Sequence, residues 1–181
     1  MSGHNKWSKI KHKKAASDSQ KSKLFSKHAS LIAVESRKAK GNPAAPNLIA
    51  MIERAKKDSM PKENIDRAVA KGKSAESASL TEVMYETYGP GGVAIVITAV
   101  TDNPNRTTPE IRHLLTKNGY ALGTTGSASW AFVKTDAGYT PLNHMELSDE
   151  DGEKLAALVE SLEEHDDVHD VFTSADSLSG E

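Results

Sequence analysis

Val93–Val100, VAIVITAV, is the stretch that most limits what this chain can become. Both alternating sets of side chains are apolar, so a strand here needs cover on both faces and belongs in the middle of a sheet. GPGG, residues 89–92, precedes it and reads as a hairpin connection from a weaker strand over Val83–Tyr88. A phosphate-cradling loop follows a strand and opens a helix, and this glycine run stands in the opposite order.

The chain beyond this strand fills in a sheet-and-helix pattern. TDNPNRTTPE is a turn and a helix start, with Thr108 as the expected cap and Pro109 in the first helical position. Ile111, Leu114 and Leu115 face inward, and Asn118-Gly119 is a stop. Trp130 and Phe132 are expected to share one face of a strand, with Ala131 and Val133 on the other. Asp136-Ala137-Gly138 reads as a short hairpin loop. It leads to a strand over Tyr139–Met145 in which Pro141 implies an edge. Ser148 opens a capping box. The following helix repeats Leu155, Leu158, Val159 and Leu162 at helical spacing, and Val168–Thr173 is a last strand. The order from VAIVITAV onward is β-α-β-β-α-β, the ferredoxin-like arrangement, with one extra strand before it.

The first 73 residues read differently. Three amphipathic helices are expected. The first carries Leu24, Phe25, His28, Leu31, Ile32 and Glu35 along one stripe and stops near Gly41. The second has Asn47 as its expected cap and carries Leu48, Met51, Ile52 and Ala55 on one face. The third follows Ser59 or Met60 and Pro61, buries Ile65, Ala68 and Val69, and ends at Gly72. His28 is expected to be a packed or boundary histidine rather than a ligand, since no second ligand is spaced to join it. The expected class is α+β: a basic helical domain over 1–73, then a ferredoxin-like antiparallel-sheet domain over 80–176.

Charge separates the same two parts. Residues 1–73 hold 18 Lys and Arg against 6 Asp and Glu, a net of +12, and the remainder nets -14. The basic part is densest in residues 3–16, GHNKWSKIKHKKAA, where no acid appears. Cations with an interleaved indole suit a phosphate backbone and a stacked base. The candidate nucleic-acid contacts are Lys6, Trp7, Lys9, Lys11, His12, Lys13 and Lys14, with Lys21 and Lys27 on the helix that follows. The third helix offers Lys62, Asn64 and Arg67 but no strong base-reading set, which argues against a helix-turn-helix.

Other chemistry is poorly supported. The chain has no cysteine, which removes disulfides, thiolate metal sites and a cysteine nucleophile. The titratable cluster Glu163–Asp170 includes His165 and His169, but it reads as the solvated end of a helix, not a metal site. No serine stands in a nucleophile-elbow pattern, so no catalytic residue, metal or cofactor is expected. No apolar run reaches membrane-spanning length and no secretory signal opens the chain, so the expected location is cytoplasmic with no membrane partner. The acidic part is left as a surface for a protein partner.

Several blocks in order resemble the YebC family. They are GHNKWSKIKHKKAA, DSMPKENIDRAV, YETYGPGGVAIVI, TDNPNRTTPEIRH and LSDEDGEKLAALVESLEEHDDVHDVFTSAD. The family includes the mitochondrial translational activator of cytochrome oxidase subunit I. The resemblance implies regulation of gene expression without catalysis. Some members are described as DNA-binding transcriptional regulators. Others are ribosome-associated and help translation through difficult sequences, so ribosomal RNA and the ribosome are also implied partners. Two departures stand out. Members usually carry a third domain inserted where this chain has only Thr135–Gly138, and Pro104 stands where an arginine is common.

Overall fold

The computed structural model describes residues 18–136 and 138–176. They divide into two units: 18–83 with 100–104, and 84–99 with 105–176.

The helical unit is built from α1 (Asp18–Lys38), α2 (Pro46–Lys57) and α3 (Lys62–Gly72). Their apolar stripes meet in a core of Ile32, Leu48, Ala55, Met60, Ile65 and Ala68. Phe25, Met51, Ile52 and Val69 pack around it, as the helical spacing predicts. Two starts differ from expectation. The cap of α2 is Ala45, with Pro46 rather than Asn47 opening the helix, and α3 is capped by Pro61. Pro46 has no N–H to leave unsatisfied and its φ is already helical, so it opens α2 ahead of Asn47, whereas Pro61 follows Ser59 and Met60 and is itself the cap, with φ of -59° and ψ of 142°. His28 is buried, and its Nε2 lies 2.6 Å from the Asp58 carboxylate, so it packs as expected.

α1 and α3 come unusually close. A Cβ on Gly72 would lie 2.4 Å from the Ala33 carbonyl oxygen and 2.5 Å from Ser36 Cβ. Ser36 Oγ also donates to the Val69 carbonyl at 2.8 Å. Gly72→Ala gains about 1 kcal/mol of helix propensity. Overpacking against backbone costs about 1–3 kcal/mol or more, and there is no flexible side chain to yield. The expected result is a net loss of about 2 kcal/mol, read from urea unfolding with an unchanged slope.

β1 (Thr81–Tyr88), β2 (Ala94–Thr101) and β5 (Val168–Thr173) form a sheet in the order β1-β2-β5, and most of its residues belong to the second unit. β2 is central and almost wholly buried, and it pairs antiparallel with β5. The GPGG link is the expected hairpin connection. Gly89 N–H donates to the Val93 carbonyl at 2.8 Å, and Gly91 and Gly92 take φ of 67° and 81°, which glycine adopts without strain.

The mixed helix-and-sheet class and the element order are as expected. The strands divide into the three-stranded sheet and a separate antiparallel hairpin of β3 (Phe132–Thr135) and β4 (Gly138–Pro141). Ala94 and Val96 on one face of β2 cluster with Ala128 and Phe132, and Tyr139 and Phe172 close over them. Gly138, at φ 111°, lets the hairpin lie on Phe172, whose ring would be 2.4 Å from an added Cβ.

α4 (Pro104–Lys117) and α5 (Asp149–Glu163) supply Ile111, Leu115, Leu155, Leu158 and Leu162 to the core. α4 starts at Pro104, so Thr108 and Pro109 lie inside the helix rather than opening it. Thr101 Oγ1 accepts from Asn103 N–H at 3.0 Å and shapes the turn that makes the earlier proline the start. Gly119 ends α4, with Tyr120 N–H donating back to the Leu115 carbonyl. Ser148 caps α5 by accepting from Asp151 N–H at 3.1 Å. The strand expected over Tyr139–Met145 stops at Pro141. Met145 instead makes one isolated parallel bridge to Ala175.

Candidate nucleic-acid interface

Lys6, Trp7, Lys9, Lys11, His12, Lys13 and Lys14 lie outside the described residues. Lys21 and Lys27 both stand on α1, the first exposed and the second half-buried. The rest of the helical unit adds cations around α2 and α3. Arg54, Lys56 and Lys57 fill the last turn of α2, where the helix dipole favours them. Two of the surface cations are paired on their own helices: Lys56 with Glu53 at 2.7 Å, and Arg67 with Glu63 at 2.9 Å. Such exposed pairs contribute little to stability and can exchange for phosphate. Two other cations have structural work. The Arg37 guanidinium donates to the Ser77 carbonyl and, at 2.7 Å, to the Leu80 carbonyl. Lys38 bridges Glu35 and Glu82; partial burial lowers its pKa, but the two carboxylates outweigh it and raise it above the ordinary value.

The sheet unit holds two polar constellations. The first is Glu86, which is 2 % exposed. Its carboxylate accepts backbone N–H groups from Gly126 at 2.6 Å, Ala128 at 3.1 Å and Ser129 at 2.5 Å. Burial works to raise its pKa, but the Ser129 side chain and the three N–H groups outweigh burial and hold it below the ordinary carboxylate value. Its own carbonyl accepts from Gly123, and Thr87 Oγ1 donates to the Ala121 carbonyl, so β1 grips the whole loop after α4.

This grip corrects the expectation for Trp130. Ala128 and Ser129 are held by Glu86, so the chain turns through a short 3₁₀ segment, Ser129–Ala131, and the strand begins only at Phe132. Trp130 does not share a buried strand face with Phe132; it is 67 % exposed. Its indole N–H donates to Tyr88 Oη at 2.8 Å and to the Ser127 carbonyl at 2.9 Å. Alternation alone could not show this. Glu86 alternates along β1 with the exposed Glu82, Met84 and Tyr88, so the strand pattern gives no sign that this acid is buried.

The second constellation joins α4 to the turn before β5. Asp167 accepts from Arg106 at 2.9 Å and from Thr107 Oγ1 at 2.7 Å. His165 Nε2 lies 2.8 Å from Glu110. Glu110, His165 and Asp167 bring three ligand atoms within 4.8 Å of one another; His169 is not in this group. The donor set fits a metal poorly, because Arg106 and Thr107 already occupy the Asp167 carboxylate. A solvated helix end, the expectation for this segment, is thus corrected at His165 and Asp167, which are half-buried and engaged.

Burial raises the Asp167 pKa, and Thr107 and Arg106 overcome that to hold it below 3.8, the ordinary value. A carboxylate with a depressed folded-state pKa stabilises the fold above its unfolded pKa. That contribution is lost as pH falls through the folded value. Glu86 acts in the same direction. Acid titration of stability should therefore show a loss that begins near the ordinary carboxylate range and continues below it. Asp167→Asn should shrink this loss and cost about 2 kcal/mol at neutral pH, measured by denaturant unfolding across pH.

The comparisons with known proteins decide the family. The TACO1/YebC protein N-terminal domain family matches residues 5–75, and the family of the TACO1/YebC second and third domains matches residues 80–137. A relative from Petrotoga mobilis is 42 % identical over 99 % of this chain and 72 % of its own length. The chain belongs to the TACO1/YebC family. A second member, from Dictyoglomus turgidum, is 44 % identical over 99 % of this chain and 73 % of its own. Both carry the name "Probable transcriptional regulatory protein". A crystal structure of the conserved hypothetical protein Aq1575 from Aquifex aeolicus superposes with a TM-score of 0.79 at 33 % identity, covering 92 % of this chain and 95 % of that one. The names of these TACO1/YebC relatives support a regulatory role. Among the described residues, no helix is long and apolar enough to cross a membrane.

Proposed function

We propose that this chain is a non-enzymatic, nucleic-acid-binding regulator of gene expression, working in the cytoplasm through its basic N-terminal part. The observation that carries this reading is the separation of charge: +12 within residues 1–73 against -14 in the rest. The lysine run with Trp7 sits at the basic end. A polyanion would be drawn to that part and repelled by the other, which orients the protein as well as binding it. Regulation is the role that the relatives' names support, and DNA is the partner that a transcriptional role implies.

Structured RNA, including ribosomal RNA, is a second reading with its own support. α3 presents Lys62, Asn64 and Arg67, and Arg67 is occupied by Glu63. A helix with so few free base-reading groups suits backbone and shape recognition better than major-groove readout. The acidic unit is left for a protein partner, with the fixed and exposed Trp130 as its natural anchor.

The test is a binding titration of the full chain against duplex DNA and structured RNA at several salt concentrations. The expected slope of log affinity against log salt is steep, about -0.9 per phosphate contact on duplex DNA and about -0.7 on single strands. A flat salt response, or no binding to either polymer, would contradict the reading.

A further inference from the structure

Within the helical unit, α2, α3 and the loop after α1 enclose an open cavity of about 440 Å³. Its floor is aliphatic: Leu48 and Ile52 from α2, Ile65 and Val69 from α3. Its rim holds Lys56, Lys62 and Lys73, with Asp66 as the one acid in the lining. Lys62 and Lys73 make no ion pair among the described residues. The volume lies within the range of small-ligand sites, about 300–1,000 Å³.

An apolar floor ringed by cations selects an amphipathic anion, with a body that displaces water from the floor and negative groups that reach the rim. Lysines are strongly hydrated point charges, suited to phosphate and indifferent to its orientation. The cavity also lies in the part of the chain where positive charge is concentrated. We propose that it takes one unpaired nucleotide of a bound nucleic-acid strand. The base lies against Leu48, Ile52, Ile65 and Val69, and the flanking phosphates meet Lys56, Lys62 and Lys73. Asp66 can only accept hydrogen bonds when ionised, so it favours a base edge rich in N–H. This inference rests on the nucleic-acid reading above and adds to it a preference for unpaired strands. A paired base must first leave its stack, which costs a few kcal/mol, whereas a single-stranded one does not.

The test compares the full chain with two variants, by fluorescence anisotropy on a labelled single-stranded RNA and on the matching duplex. Ile52 is half-buried and packs against the helical core, so Ile52→Glu places a carboxylate in the floor, and its melting transition is recorded beside the unaltered chain's to separate lost binding from lost folding. It should weaken single-strand binding about tenfold or more, in line with the loss of one base contact, and leave duplex binding within about twofold. Lys62→Gln with Lys73→Gln changes only exposed side chains, and should flatten the single-strand salt slope by about 1.4. Unchanged single-strand binding and slope in both variants would overturn the proposal, and so would equal losses on strand and duplex. Saturable binding of free AMP with the affinity of the strand would also overturn it, since the cavity would then be a mononucleotide site. If the unaltered chain binds neither RNA nor DNA, the nucleic-acid reading itself fails. If it binds and the variants bind alike, only the cavity assignment fails.

Discussion

Glu86→Ala is expected to destabilise the sheet unit by about 4 kcal/mol, among the largest effects available to a single side chain here. The substitution removes the shared acceptor of the Gly126, Ala128 and Ser129 N–H groups and leaves a gap in a site that is 2 % exposed. Hydrogen bonds to a charged group contribute about 1.5–3 kcal/mol each, and a buried donor left unpaired adds its desolvation cost. Water entering the gap recovers part of the loss, which is why the expectation is below the sum. For a chain of this size the melting temperature should fall by roughly 10 °C. Glu86→Gln should cost about half as much, because one oxygen can still accept while the amide nitrogen faces a donor. Hydrogen exchange gives the local signature: the amides of Gly126, Ala128 and Ser129 lose protection before the rest of the unit. A melting temperature within about 2 °C of the unaltered chain would mean that the loop holds itself, without the carboxylate.

The same loop shows where the sequence could be read and where it could not. Periodicity located α1, α2, α3 and α5 with their buried faces, because their apolar spacing had no competing signal. VAIVITAV was legible as the central strand for the same reason. Where two prolines or a proline and a polar cap competed, the pattern could not rank them. α4 therefore begins at Pro104 rather than at Thr108, and α2 at Pro46 rather than Asn47. Trp130 departs from the strand pattern for a different cause. Its exposure depends on Glu86, more than forty residues earlier and buried against three backbone amides, and such long-range satisfaction leaves no periodic trace. Asp167 and Arg106 belong to the same class, being joined across sixty-one residues. The cavity beside α3 was equally invisible, since Ile52, Ile65 and Val69 read as ordinary core positions.

The resemblance of several blocks to the YebC family was legible because it lies in specific residues and not in periodicity. The short link between β3 and β4 was legible too: Thr135 pairs with Gly138, closing a tight hairpin. The chain is matched over almost its whole length, yet spans about 72 % of its relatives. The basic N-terminal domain family is matched by residues 5–75, so the part that carries the proposed binding is present.

Reversal of Lys9, Lys11, Lys13 and Lys14 to Glu is the second large effect expected, and the most direct test of that binding. Four phosphate contacts contribute about 3.6 to the salt slope on duplex DNA and about 2.8 on single strands. Reversal also adds repulsion, so affinity near physiological salt should fall at least about a hundredfold. Trp7→Ala should weaken binding with little change of slope, as expected of a stacking ring. The measurement is the affinity of the fourfold variant for RNA and DNA across salt, with its melting transition recorded alongside. Loss of binding and a flattened slope in a chain that still melts cooperatively at its usual temperature is the predicted result. Full affinity with an unchanged slope would contradict the account, and would move the activity of this protein to its acidic part.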